Sequence, residues 1–438
     1  MTIELLPPSE DSSEIQKGVS QVEKKKILVI SDHPFSPSGV GTQTKYFIEA
    51  LLATGRYKFI CLGGAVKHKD YTPVKTQEHG EDLIVIPIDG YGSPDLIRQA
   101  VRKERPSAVW IMTDPRFWHW LWAIEEEIRY HCSLIYYHVW DNYPYPYYNK
   151  KYYESNDAIA TISKVTADIV TEVAPKVKHR RIPHAVPNEL FKQLPPDVVA
   201  QFKQDNFKDD KDKFMVVWNN RNARRKQSGS LIFWFKKFLD KVGHDKAVLI
   251  MHTDTKDPNG QDLDAIITEL GLTDGQVKFS REKVPPHALS LMYNAADVVI
   301  NISDAEGFGL ATLEALSCGT PIIVSMTGGL QEQVTDGEKW FGIGIEPASK
   351  AIIGSQEIPF IREDRLDEDD VVNALLKMFE MSAEERQKLG QQGIEHVKKN
   401  YSFEVFNSAW VEFVDEVLEE NGAWGTRKDY KSWEMFEL

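Results

Sequence analysis

A chain of 438 residues has length for two or three domains with real cores, and 42% hydrophobic against 27% charged residues is a folded balance that excludes disorder. The net charge of -14 excludes a generic nucleic-acid binder, although the acid excess lies in residues 191–438 and leaves 25–190 near neutral. No run reaches the ~18–20 apolar residues of a spanning helix, so no transmembrane segment is expected, and three scattered cysteines (Cys61, Cys132, Cys318) read as reduced thiols of a cytoplasmic protein.

In chain order, residues 1–24 are polar, lack the apolar heart of a secretory leader, and read as a flexible tail. Apolar runs follow at Ile27–Ile30, Phe59–Leu62, Leu83–Ile86, Ala108–Met112 and Leu134–Tyr137, with helical stretches such as Thr42–Ala53 and Asp95–Lys103 between them. Continuous rather than alternating strands separated by helices predict a parallel sheet covered on both faces. This first domain is expected over 25–195. The polar, Pro-marked stretch from Lys192 to Lys213 breaks the pattern, and 196–213 is expected as the interdomain linker.

A second series over 214–400 runs through Phe214–Trp218, Ala247–Met251, Val277–Phe279, Val298–Ile302 and Pro321–Val324, with helices at Leu263–Leu270, Pro286–Asn294 and Leu310–Ser317. Helical pattern continues from Asp367, broken near Tyr401-Ser402; 401–438 are expected as closing helices that cross back to the first domain. Asp367-Glu368-Asp369-Asp370 reads as a helix start rather than a metal cluster. The whole is α/β, two doubly wound halves that place a ligand in the cleft at the carboxyl ends of their strands.

The densest chemistry lies in Asn301–Gly329. A strand ends, the turn Glu306-Gly307-Phe308-Gly309 follows, and a helix opens at Leu310 and stops near Gly319 and Pro321. Free N–H groups and the positive dipole end at a helix start suit phosphate. Glu306 and Glu314 stand eight residues apart, roughly 12 Å along a helix axis. That is about the span from a hexose to a ribose across a pyrophosphate, so each carboxylate can accept from the hydroxyls at one end.

This segment resembles the E-x7-E signature of the retaining GT-B glycosyltransferases often called GT4, and the likeness extends more thinly over Ile27 to Val417. The resemblance implies two Rossmann-like domains, an acceptor held by the first and a nucleotide-sugar donor held by the second, with no cofactor and no metal. Arg221 and Lys226 in Trp218–Lys226 match the family's Arg-x4-Lys pair, assigned to the donor pyrophosphate, although Asn220 and Gln227 stand where glycines are usual. The loop Ser36–Thr42 brings Gly39 and Gly41 towards the donor. His138, closing the run from Tyr136, falls where the family carries a histidine near the transferred sugar, with Asp141 a weaker candidate. Ile182–Phe191 departs from the family at His184, Ala185 and Pro187 and is given structural weight only.

The expected catalytic set is therefore His138, Arg221, Lys226 and Glu306. The donor set adds Gly39, Gly41, Gly307, Phe308, Gly309, Leu310 and Glu314. Tyr143–Tyr153, rich in tyrosine with Lys150 and Lys151, reads equally as an acceptor surface or a Pro-locked loop. Front-side transfer from a UDP- or GDP-sugar to a glycan, lipid-linked sugar or metabolite ranks first. Glycosylation of a modified DNA base and nucleotide-sugar epimerisation rank behind it, and a non-catalytic sugar-nucleotide sensor last.

Overall fold

The computed structural model describes residues 23–431 apart from 357 and 429. Most of the expected tail, residues 1–22, and the end of the expected closing segment, 432–438, lie outside the described residues.

The central apolar runs of the first half become strands because their residues are buried on both sheet faces, as Leu28, Val29 and Ile30 are, while Leu83–Ile86 nearer the edge buries one face fully and the other partly. The strands are β1 (Lys25–Asp32), β2 (Tyr57–Gly64), β3 (Val74–Lys75), β4 (Leu83–Pro87), β5 (Ala108–Met112), β6 (Ser133–His138), β7 (Ala158–Thr161) and β8 (Lys178–Arg181). They order as β3-β4-β2-β1-β5-β6-β7-β8, parallel except for the β3–β4 edge. The second half builds β9 (Phe214–Asn219), β10 (Ala247–His252), β11 (Val277–Ser280), β12 (Val298–Asn301), β13 (Ile322–Ser325) and β14 (Gly342–Ile345), ordered β11-β10-β9-β12-β13-β14 and all parallel.

The polar stretch between the halves is ordered. Pro196–Phe207 is a helix opened by a proline in its first turn, and it rests Val199 and Phe202 on the second domain's core beside helix Pro286–Ala295. A further element did not stand out in the sequence. The antiparallel hairpin β15 (Ser349–Ile353) and β16 (Ile361–Arg365) leaves the second domain and plants Ile358, 6% exposed, in a cluster of first-domain residues. There the Arg362 N–H donates to the Tyr143 carbonyl at 2.7 Å.

Three capped helices end the chain. Asp367 accepts from the Asp369 N–H at the start of Glu368–Glu380, and Ser382 with Glu385 forms a capping box on Ala383–Asn400. Ser402 caps Phe403–Asn421, which returns to the first domain. There fully buried Trp410 meets Phe47 at 4.7 Å and Tyr137 at 4.9 Å between ring centroids.

Candidate active site in the interdomain cleft

In each sheet the strand order reverses beside one strand: β1 lies between β2 and β5, and β9 between β10 and β12. Helices leave opposite faces of the sheet at such a switch point, so a crevice opens at the strands' carboxyl ends. The two crevices face one another and form a cleft of about 640 Å³. Its lining comes from the loop after β1 (Ser38, Gly39), the segment after β5 (Asp114, Arg116), Asp141 beyond β6, His184 beyond β8, Arg224 and Arg225 beyond β9, and Glu306–Leu310 beyond β12.

The second-domain wall is rigid. Gly309 sits at φ +93° directly before helix Leu310–Ser317, a backbone state an L side chain resists. Gly328 packs so closely that a Cβ there would lie 1.8 Å from the Glu306 carbonyl, which also accepts from the Gly329 N–H at 3.0 Å. No side chain caps the start of helix Leu310–Ser317, so its first amides are left to a ligand. Beside it, Lys226 and Glu306 form an ion pair in which both side chains are buried. Burial pushes the Lys226 ammonium down, with Glu306 opposing. Burial also pushes Glu306 up, but Lys226 and Arg225 outweigh it and the carboxyl ends below its usual range. The two groups thus hold one another in a confined site. Arg225 donates to the Ala305 carbonyl.

Glu314 lies further along the same helix. It accepts from the Tyr293 hydroxyl at 2.8 Å, which accepts in turn from the Asn219 amide at 2.6 Å. Burial drives the Glu314 carboxyl up to about 7, the tyrosine hydrogen bond opposing.

Across the cleft, Asp32 accepts from the Ser38 hydroxyl at 2.6 Å, and Ser38 caps helix Gly39–Leu52 by accepting from the Gly41 N–H. A Cβ on Gly41 would lie 2.4 Å from the Ser36 hydroxyl, and one on Gly39 would touch Leu310 of the opposite domain at 3.4 Å. Gly307 makes the reciprocal approach, with Val139 and Asp141 3.4 and 3.5 Å from where its Cβ would be. Burial raises the Asp141 carboxyl to about 6, against the pull of Arg225 and Lys226.

Of the expected residues, Gly41, Lys226 and Glu314 are not in the lining itself but sit next to it through Ser38, Glu306 and helix Leu310–Ser317, and two more are placed elsewhere. His138 is fully buried within the first domain, its Nε2 bonded to the Tyr153 hydroxyl at 2.8 Å and its ring edge-on to Tyr136. The strand's alternation turns it away from the face of Tyr137, and burial pushes it down to about 3. Arg221 is 63% exposed at its side chain and is held by Asp257 at 2.6 Å, outside the cleft lining. Its neighbours Arg224 and Arg225 point inward instead, Arg224 being gripped bidentately by Glu363 of β16. The tyrosine-rich loop is mostly packing: Tyr152 stacks on His119 at 4.3 Å and Tyr153 holds His138.

His184, given only structural weight, lines the cleft. Its ring lies 4.9 Å from Phe308, and Nδ1 is 2.8 Å from the Tyr137 hydroxyl. That hydroxyl has one proton and gives it to the Ile182 carbonyl at 2.7 Å. His184 Nδ1 therefore donates and Nε2 is left as an acceptor. Burial pushes the ring down to about 3, so it is neutral at ordinary pH. Its signal was positional: it follows a strand end, but Lys178–Arg181 is so polar that no strand is suggested there.

Two facing doubly wound domains with a last helix crossing back define the GT-B architecture. Sucrose-phosphate synthase from Thermosynechococcus elongatus superposes with a TM-score of 0.70 at 18% identity, over 91% of this chain and all of that one. Anabaena HepE in complex with UDP and glucose gives 0.67 at 16%, over 90% of this chain and 100% of HepE. Residues 199–396 match the model for glycosyl transferases group 1. That match lies in the second domain and is in keeping with the GT4-like motif around Glu306 and Glu314. D-inositol 3-phosphate glycosyltransferase of Acidothermus cellulolyticus is 32% identical over 142 residues, 30% of this chain and 31% of that protein, so the chain spans under a third of that relative's length. Among the described residues no helix is long and apolar enough to cross a membrane, and no group of three or more His, Cys, Asp or Glu is gathered to hold a metal.

Proposed function

We propose that the protein transfers a sugar from a nucleotide-sugar donor, a UDP- or GDP-sugar, to an acceptor hydroxyl with retention and without a metal. One observation carries this reading: the uncapped start of helix Leu310–Ser317 and Glu306 before it face Gly39 across the cleft, with buried Lys226 paired to Glu306 behind that wall. A donor diphosphate lies against those amides, with Lys226 and Arg225 beside it. Its arrival draws the lysine from Glu306 and frees that carboxylate to accept from the sugar's hydroxyls. Glu314, about one turn into the helix, accepts from the ribose diol. HepE, with UDP and glucose in a similar fold, supports a donor of this class.

The acceptor hydroxyl enters on the leaving group's own face. Its oxygen bonds to the anomeric carbon as the carbon–oxygen bond to the diphosphate breaks, and its proton passes to the departing phosphate oxygen. Lys226, Arg225 and the helix amides stabilise the charge that develops there. Neutral His184 offers Nε2 to a hydroxyl of the transferred sugar. The unpaired, buried Cys61, Cys132 and Cys318 suit a reducing cytoplasmic setting.

Isothermal calorimetry with UDP-glucose and GDP-mannose, followed by steady-state turnover, tests the assignment. Lys226→Ala is expected to lower kcat/KM by a factor of ~10²–10³, the usual loss for one preorganised charge partner of a transition state. Arg225→Ala is expected to cost more than Arg221→Ala. The reverse order would mean that the donor recruits Arg221 from Asp257, and binding of neither nucleotide sugar would overturn the reading.

A further inference from the structure

Outside the cleft, the first domain carries a line of aromatic rings that the proposed chemistry does not use. They arise from loops at the carboxyl ends of four neighbouring strands, β4, β2, β1 and β5. The His33 ring lies 5.7 Å from Phe35 and 5.6 Å from His68, and His68 lies 5.7 Å from Tyr71. Tyr91 lies 5.3 Å from Phe117 and 5.0 Å from Trp118. Phe35, Tyr71 and Phe117 are 42%, 50% and 49% exposed. The rings form two groups, Phe35–His33–His68–Tyr71 and Tyr91–Phe117 resting on buried Trp118; a single exposed ring is ordinary, but three on one edge of the sheet mark a binding surface.

The rim runs into the cleft at two points. Tyr91 donates to Asp32 at 2.7 Å, and Asp32 holds Ser38 of the cleft wall. Phe117 follows Arg116, another wall residue. Carboxylates sit between the rings: Asp89 accepts from the Tyr71 hydroxyl at 2.6 Å, Asp70 accepts from Thr72, and Asp114 binds Arg116. With Asp32 they make four, against Lys67, Lys69 and an Arg116 already held. Flat apolar faces alternating with hydroxyl acceptors suit the C–H faces and hydroxyls of sugar rings. The same carboxylates repel a phosphate backbone.

We propose that this rim is an acceptor subsite for a neutral oligosaccharide chain, whose terminal hydroxyl enters the cleft between Ser38 and Asp114. The inference rests on the glycosyl-transfer reading and narrows its acceptor. An array of neutral oligosaccharides, sulfated oligosaccharides and single-stranded DNA, probed with the full chain in saturating UDP, tests it beside calorimetry of UDP alone. The wild type is expected to bind neutral chains. Tyr71→Ala and Phe117→Ala are each expected to weaken that binding about tenfold and leave the UDP affinity and melting temperature unchanged, while Phe117→Trp retains it. Intact UDP binding with no neutral chain captured, alanine variants that bind like wild type, or preference for the sulfated chains or DNA would overturn the proposal. Glycan capture without UDP binding would instead remove the donor assignment and leave the rim standing.

Discussion

Two histidines show how far a side chain's role depends on which way its strand turns it. His138 satisfies the Tyr153 hydroxyl inside the first domain, whereas His184 presents a neutral ring to the cleft. Turnover by His138→Gln is expected to stay within about threefold of wild type while stability falls by ~1–3 kcal/mol, the cost of disturbing a buried hydrogen bond; His184→Ala should lower kcat with little loss of fold. Denaturant titration and kinetics on both variants separate the two. Glu314 adds a pH dependence. Its folded-state pKa, about 7, lies above the usual glutamate value of 4.5, so the folded chain holds this proton more tightly than the unfolded one. The stabilisation is therefore complete below about pH 4.5, declines as pH rises, and is lost above about 7. On the proposed donor placement, binding is expected to have the opposite slope, because an ionised Glu314 is the better acceptor for the ribose diol. The Kd for a nucleotide sugar should tighten between pH 6 and 8, and Glu314→Gln should flatten both profiles. The positions of the EGFG turn before helix Leu310–Ser317 and of Glu314 within it were legible because a turn and a spacing mark them. The directions of His138, Arg221 and Arg225 were not, since strand phase and a partner such as Asp257 far along the chain decide them.

At the scale of elements, the central strands and the helix Leu310–Ser317 could be read from the chain because two-sided burial demands unbroken apolar runs. β7, β8 and the hairpin β15–β16 escaped that signal: they are short or polar, and tertiary contacts stabilise them. The hairpin is a second-domain element whose anchor, Ile358, is buried among residues of the first. It also takes Arg224 out of the group of cations beside the cleft through Glu363. Replacing Ile358 by Asp should release it, since an unpaired carboxylate is not tolerated in an apolar cluster. Small-angle scattering is then expected to show a larger radius of gyration, and the acceptor KM should rise more than the donor KM. An unchanged radius would show that the hairpin does not hold the domains together.

Across the whole molecule, the domains are joined by more than the linker. Glu332 of the second domain is buried, accepts from the Lys164 N–H at 2.8 Å and pairs with Arg181, both in the first. Helix Phe403–Asn421 covers the first domain's sheet, with Asp415 gripping Arg56 through two bonds of 2.8 Å. Trp410→Ala should cost ~3–5 kcal/mol, the range for emptying a large aromatic site. Hydrogen exchange would then accelerate first in β1 and β5, not in β9 and β12. Uniform acceleration in both sheets would mean that the two halves unfold as one unit.

That placement of Trp410 bears on how the protein is made. Strands β1 to β8 emerge from the ribosome before any part of β9 to β14, yet the wedge that fills the space beside Phe47, Trp110 and Tyr137 comes only after all of them. Nascent domains generally consolidate in the order of translation. Here the first one can close the flank beside Phe47, Trp110 and Tyr137 only once the last helix has been made.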